Sequence, residues 1–121
     1  MKEEKFTITN KTKHTPQRGL FSKIKEVALG KDYALSLVFI GKRKSRTLNR
    51  TYRGKDNPTN ILSFPIDTKS GEIFITESVA KKEGFSVGFL FIHGLVHLKG
   101  YAHGDTMERA EIKLRKQFNL E

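Results

Sequence analysis

Apolar and polar residues alternate along this chain with two different periods, and the periods divide it into strands and helices. Phe6 and Ile8 alternate with Thr7 and Thr9, the two-residue rhythm of a strand with one covered face. From Gln17 to Leu29 the spacing changes. Leu20, Phe21, Ile24, Val27 and Ala28 recur at three and four, Lys23, Lys25 and Glu26 fall on the other side, and Gly30 stops the pattern. This predicts an amphipathic helix packed on a sheet, entered near Thr15-Pro16. Tyr33 to Ile40 is β-branched and aromatic, as a central strand requires, and ends at Gly41. Lys42 to Arg53 reads as a helix with Leu48 and Tyr52 turned inward and its cations along the outer face.

Turn residues Gly54 and Asn57-Pro58 then lead into a short apolar strand through Ile61, Leu62 and Phe64. After a turn predicted at Asp67 to Gly71, Ile73, Phe74 and Ile75 form another strand, apolar enough to be covered on both faces. Thr76 or Ser78 can cap a brief helix through Lys82, broken by Gly84. The segment from Ser86 to Lys99 shows no polar stripe, so a helix there is buried on nearly every side. A last helix, capped by Asp105-Thr106, sets Met107, Ala110, Leu114 and Phe118 against Glu108, Arg109, Lys113 and Lys116. Strands interspersed with helices point to one α+β domain over residues 1–121, an α/β sandwich. Its small mixed sheet, of about four strands, is covered by helices around a buried central helix.

That central helix carries the candidate chemistry. His93 and His97 stand four apart, on one face about a turn from each other. Such a pair alone is more often bonded to backbone than to a metal. Gly100 then stops the helix, and the chain can double back to bring His103 to the same ion. Three imidazoles that leave one position for water are how catalytic zinc is commonly held, and no cysteine is present to close a structural site. The expected cofactor is therefore one zinc ion per chain, although three imidazoles also suit other divalent transition metals. Metalloproteases with this spacing place a general-base glutamate after the first histidine, where this chain has Gly94, so peptide hydrolysis by that route lacks its base.

Charge adds a partner. Residues 1–60 hold 15 Lys or Arg against 5 Asp or Glu, and residues 61–121 hold 8 against 8, so the net charge of +10 arises entirely in the first half. One-sided basicity points to a polyanion, with nucleic acid first. Membrane binding would want a basic amphipathic helix with aromatic anchors, and the basic stretches are too short and mixed for that. Lys42, Arg43, Lys44, Arg46, Arg50 and Lys55 are the candidate nucleic-acid contacts, because a row of cations tracks a phosphate backbone. Arg53 is the candidate for the phosphate itself, since its planar fork matches phosphate oxygens. With no apolar run of membrane-spanning length and no signal-like start, the expected compartment is the cytoplasm.

Arg53-Gly54-Lys55-Asp56, Pro58-Thr59-Asn60 and Leu62-Ser63-Phe64-Pro65, followed by Gly71-Glu72-Ile73, Phe89-Leu90-Phe91-Ile92-His93-Gly94-Leu95-Val96-His97-Leu98, Gly100-Tyr101 and His103, closely resemble the YbeY family of bacterial ribosomal-RNA maturation endoribonucleases. The resemblance implies a single-strand-directed, metal-dependent RNA hydrolase. It would act in 3′-end maturation of small-subunit ribosomal RNA and in ribosome quality control. Its partners would be that RNA and the small subunit, with a ribosomal protein or assembly GTPase also possible by the same resemblance. His93, His97 and His103 match the family's metal ligands, and Arg53 its functionally important arginine. Two features depart from the family pattern. Ala102 replaces an aspartate that commonly precedes the third histidine, a loss worth roughly 10- to 100-fold in metal affinity unless another carboxylate such as Asp105 replaces it. The segment between Gly71-Glu72-Ile73 and His93 is also shorter than usual, which reduces the helical cover expected over the cleft.

The residues leave the general base open, with Asp56, Asp67, Glu72 and Asp105 as candidates by charge alone. Two other readings stay beside the nuclease. One is an RNA-binding ribosome assembly factor whose metal is structural; the lesser one is a zinc metalloprotease.

Overall fold

A computed structural model describes residues 5–10, 12, 17–100 and 104–120. Among these, the elements run β1 (Phe6–Asn10), α1 (Arg18–Leu29), β2 (Ala34–Phe39), α2 (Lys42–Arg53), β3 (Ile61–Asp67), β4 (Ser70–Ile75), α3 (Glu77–Glu83), α4 (Val87–Lys99) and α5 (Asp105–Gln117). The strands form one mixed sheet in the order β1-β2-β4-β3. β1 and β4 flank β2 in parallel, and β3 pairs antiparallel with β4, leaving β3 at an edge. Pro65 lies on that edge strand, where a residue with no N–H to donate is tolerated. The fold is the α+β architecture expected from the sequence.

Alternation along the strands decides which face is closed. Phe6, Leu35, Leu37, Phe39, Ile73 and Ile75 point to one side and are fully buried beneath α1 and α4. Phe91 of α4 sits at the centre of this layer, 4.9 Å from the Phe21 ring and 6.0 Å from that of Phe6. Leu90, Phe91, Ile92, Leu95 and Val96 are all buried on α4, each removal from water contributing about 1.5–3 kcal/mol. This explains a helix with no polar stripe. It is covered by the sheet, α1 and α5 together.

The opposite sheet face is only half closed. Ser36, Val38, Glu72 and Phe74 border an open trough with Arg43, Lys44 and Thr47 of α2. The expectation that β4 is covered on both faces therefore needs correction, because Glu72 and Phe74 remain half-buried.

Several helix faces also differ from their predicted orientation. On α1 the buried stripe is Phe21, Ile24, Lys25 and Ala28, while Val27 is exposed. Lys25 can occupy a core-facing position because its amine reaches past the apolar layer to the Lys31 carbonyl, 3.2 Å away. On α2 the inward residues are Ser45 and Asn49. Leu48 is half-buried, and Tyr52 is exposed with its ring 5.0 Å from that of Phe64. The β3–β4 turn is tighter than the predicted Asp67 to Gly71, since Asp67 already pairs with Ser70. Thr76 stands at the N-cap of α3 without a side-chain bond, and the N-cap of α5 is Gly104, so Asp105 and Thr106 lie inside that helix rather than capping it. Ser86 does cap α4, its hydroxyl accepting from the Phe89 amide at 3.1 Å.

Candidate active site

The site gathers at the edge of the sheet, where α4 passes β3. A small cleft of about 70 Å³ is lined by Arg53, Ile61, Ser63, His93 and His97. These residues come from three separate parts of the chain, and each is placed by a local cause.

His93 and His97 share a face of α4, as a four-residue step on a helix requires. That face approaches β3 closely because residue 94 has no side chain. A Cβ there would stand 2.9 Å from Ile73 Cδ1, 3.0 Å from Ile61 Cδ1 and 3.0 Å from Ser63 Oγ. Gly94 is therefore the contact that lets the helix lie against β3 and β4. The same packing leaves no room for a glutamate base at position 94.

Arg53 is the last residue of α2. The helix stops at Gly54, whose left-handed backbone (φ 70°) suits glycine, and the loop beyond is fastened beneath the helix. The Ser45 hydroxyl donates to the Thr59 carbonyl and accepts from the Thr59 amide, both at 2.9 Å. Asn49 Nδ2 donates to the Asn57 carbonyl at 2.8 Å. Arg46 closes the outer side with a two-pronged bond to Asp56, at 2.8 and 3.0 Å, and Arg50 lies 3.6 Å from the same carboxylate. The Arg46 bond holds the Asp56 carboxyl below the usual aspartate range.

The sequence-predicted site residues separate clearly. His93, His97 and Arg53 come together in one cleft. His103 lies outside the described residues, as do Tyr101 and Ala102, and among the described residues no three metal-binding side chains form a cluster. The flanking geometry is nevertheless that of a reversal. Gly100 ends α4 in a left-handed conformation (φ 100°), and α5 packs back alongside α4 from residue 105. Lys42, Arg43, Lys44, Arg46, Arg50 and Lys55 are all exposed on α2 or the loop after it, though Arg46 and Arg50 are partly neutralised by Asp56.

None of the four candidate bases lines the cleft. Asp56 is tied to Arg46, and Asp67 accepts from the Lys69 amide at 2.8 Å in the hairpin turn. Glu72 borders the trough on the reverse of the sheet, and Asp105 is exposed in the first turn of α5. The carboxylate that does reach the site is Glu111, which the sequence reading missed. Its Oε1 lies 2.8 Å from Nδ1 of His93. The signal was present: with Met107 and Leu114, Glu111 occupies the buried stripe of α5, an unusual place for an acid.

Among the described residues, two imidazoles line one cleft and Nδ1 of one of them lies 2.8 Å from a carboxylate oxygen, a donor chemistry that suits a divalent transition metal.

Comparison with known proteins agrees with this reading of the fold. The family model for endoribonuclease YbeY matches residues 1–121. A protein named endoribonuclease YbeY from Alkaliphilus metalliredigens is 35% identical over 108 residues, covering 74% of this chain and 70% of that protein. A protein of the same name from Cupriavidus metallidurans is 35% identical over 111 residues, covering 81% of this chain, and one from Persephonella marina is 38% identical over 92 residues, covering 63%. The matched part spans only 56% and 58% of those two relatives. The solution structure of TM1509 from Thermotoga maritima superposes with a TM-score of 0.64 at 23% identity, over 93% of this chain and 88% of that one, a likeness of fold. On the whole-chain match and these identities, the chain belongs to the endoribonuclease YbeY family, whose members are named as RNA-cleaving hydrolases.

Proposed function

We propose that this protein is a metal-dependent endoribonuclease that cleaves single-stranded RNA, with ribosomal RNA of the small subunit as its substrate and the cytoplasm as its compartment. The observation that carries the reading is the convergence of two helix-borne imidazoles and one arginine on a single cleft at the sheet edge. His93 and His97 would hold the ion, with His103 as the third ligand. When bound, a divalent ion such as zinc supplies a Lewis acid and a water of lowered pKa.

The chain's own groups do the rest. Arg53, which lines the cleft, binds the phosphodiester through its fork and steadies the charge that grows on the phosphoryl oxygens. Ser63 offers a hydroxyl on the β3 wall, and Ile61 gives that wall an apolar surface. Exposed Lys42, Arg43, Lys44 and Lys55 lead along α2 and its loop to Arg53, a path that suits a flexible, single-stranded backbone. Among the described residues no helix is long and apolar enough to cross a membrane.

Cleavage of a single-stranded RNA by zinc-loaded protein tests the proposal, with His97→Ala and Arg53→Ala alongside. Both variants should lose activity, and full activity in either removes the mechanism. The reading as an RNA-binding assembly factor with a structural metal takes support from the four acids that stay outside the cleft. It predicts that His97→Ala keeps ribosome association and that wild-type protein cleaves no RNA.

A further inference from the structure

We infer that Glu111 is a positioning residue for His93, selecting which ring nitrogen that histidine presents to the cleft. The inference rests on the metal-site reading above and deepens it by naming a residue to which no role has been assigned.

Glu111 is 8% exposed, and it lies on the face of α5 that packs against α4. A buried carboxylate is costly unless it is bonded, and the bond it makes runs from Oε1 to His93 Nδ1 at 2.8 Å. A carboxylate can only accept, so Nδ1 is the nitrogen that carries the hydrogen. In that tautomer the lone pair belongs to Nε2, and the imidazole is 36% exposed and lines the cleft with Arg53 and Ser63. The contact fixes the tautomer, and it holds the ring against the 180° turn that would put Cδ2 in place of Nδ1 and Cε1 in place of Nε2. It also places a negative charge behind the imidazole, which makes Nε2 a stronger donor to a cation.

The carboxylate found against the His93 imidazole comes from α5, two turns beyond Gly104. A merely structural tie between α4 and α5 would be served equally by glutamine, whose carbonyl oxygen accepts the same hydrogen bond. A positioning carboxylate would not be fully replaced, because glutamine keeps the orientation and loses the charge.

Two measurements on the full chain separate these cases. The first is the long-range 1H–15N spectrum of the metal-free protein at mildly alkaline pH, which reports the tautomer of each histidine. Wild type and Glu111→Gln should show His93 protonated on Nδ1, and Glu111→Ala should shift it toward the Nε2-protonated form. The second is Zn2+ affinity by competition with a chromogenic chelator, on variants whose metal-free circular dichroism matches wild type. Glu111→Ala should weaken zinc binding about 10- to 100-fold, with Glu111→Gln between it and wild type. An Nε2-protonated His93 in the wild type overturns the inference. So does zinc affinity in Glu111→Ala within about twofold of wild type, well short of the loss expected on removing such a support. Should wild type itself bind no Zn2+, the metal reading fails, and the tautomer spectrum still decides whether Glu111 orients His93.

Discussion

Arg53 and Asp56 are three residues apart, and their environments assign them opposite tasks. Arg53 lines the cleft, whereas Asp56 is spent on Arg46 and Arg50 outside it. Replacing Arg53 with alanine should therefore lower the rate of RNA cleavage by about 10²–10³, the usual cost of removing one charge-stabilising donor, while zinc affinity stays at the wild-type level. Single-turnover cleavage beside chelator competition checks both halves. For Asp56 the prediction concerns pH. Its carboxyl is held below the usual range by the Arg46 bond, so the bridge stabilises the α2–loop junction at neutral pH and is lost as acid carries the pH down through that depressed midpoint. A carboxyl titration followed by NMR should find the Asp56 midpoint below that of an unpaired aspartate, and Arg46→Ala should move it back up. Arg53, His93 and His97 were legible from the sequence because helical spacing and side-chain chemistry mark them locally. Glu111 was not. Its meaning depends on α5 folding back over α4, a contact 18 residues away in the chain that no local period announces.

At the level of the element, α4 shows how one missing side chain places a helix. Gly94 lets the helix sit within contact distance of Ile61, Ser63 and Ile73. Alanine there gains about 1 kcal/mol in helix propensity. Overpacking against three neighbours costs about 1–3 kcal/mol, so the packing term wins by a small margin. Gly94→Ala should lower the urea midpoint modestly without changing the slope of the transition, and Gly94→Glu should lower it much further without producing peptidase activity. The existence and order of every described element were readable from periodicity and turn residues. Helix rotation was less so. Val27 and Tyr52 were assigned inward by apolarity alone, yet α1 buries the stem of Lys25 and α2 buries Ser45 and Asn49, because hydrogen bonds to Lys31 and to residues 57–59 made polar residues the better fit. Apolar spacing cannot anticipate a polar residue whose partner is a loop.

For the whole molecule the relevant quantity is where the positive charge stands. The excess of the first half of the chain is displayed in part along α2, where Lys42, Arg43 and Lys44 are exposed at the start of the helix and Arg53 ends it. Single-stranded RNA should bind with a strong salt dependence. Removing Lys42, Arg43 and Lys44 together should reduce the slope of log affinity against log salt by about 2, since each neutralised phosphate of a single strand accounts for about 0.7 of that slope. Neutralising Arg46 or Arg50 should change it less, because Asp56 already opposes their charge. A filter-binding salt titration measures both.

The cleft takes one wall from β3, and among the described residues β3 has a neighbouring strand on only one side. Edges of this kind open first, long before a core strand such as β2 exchanges its amides. Deuterium uptake should therefore begin at residues 61–66 while 35–39 stay protected, and on heating the protein should forfeit catalysis several degrees before its circular dichroism collapses, since the wall carrying Ser63 can swing away while the buried helix beneath it holds.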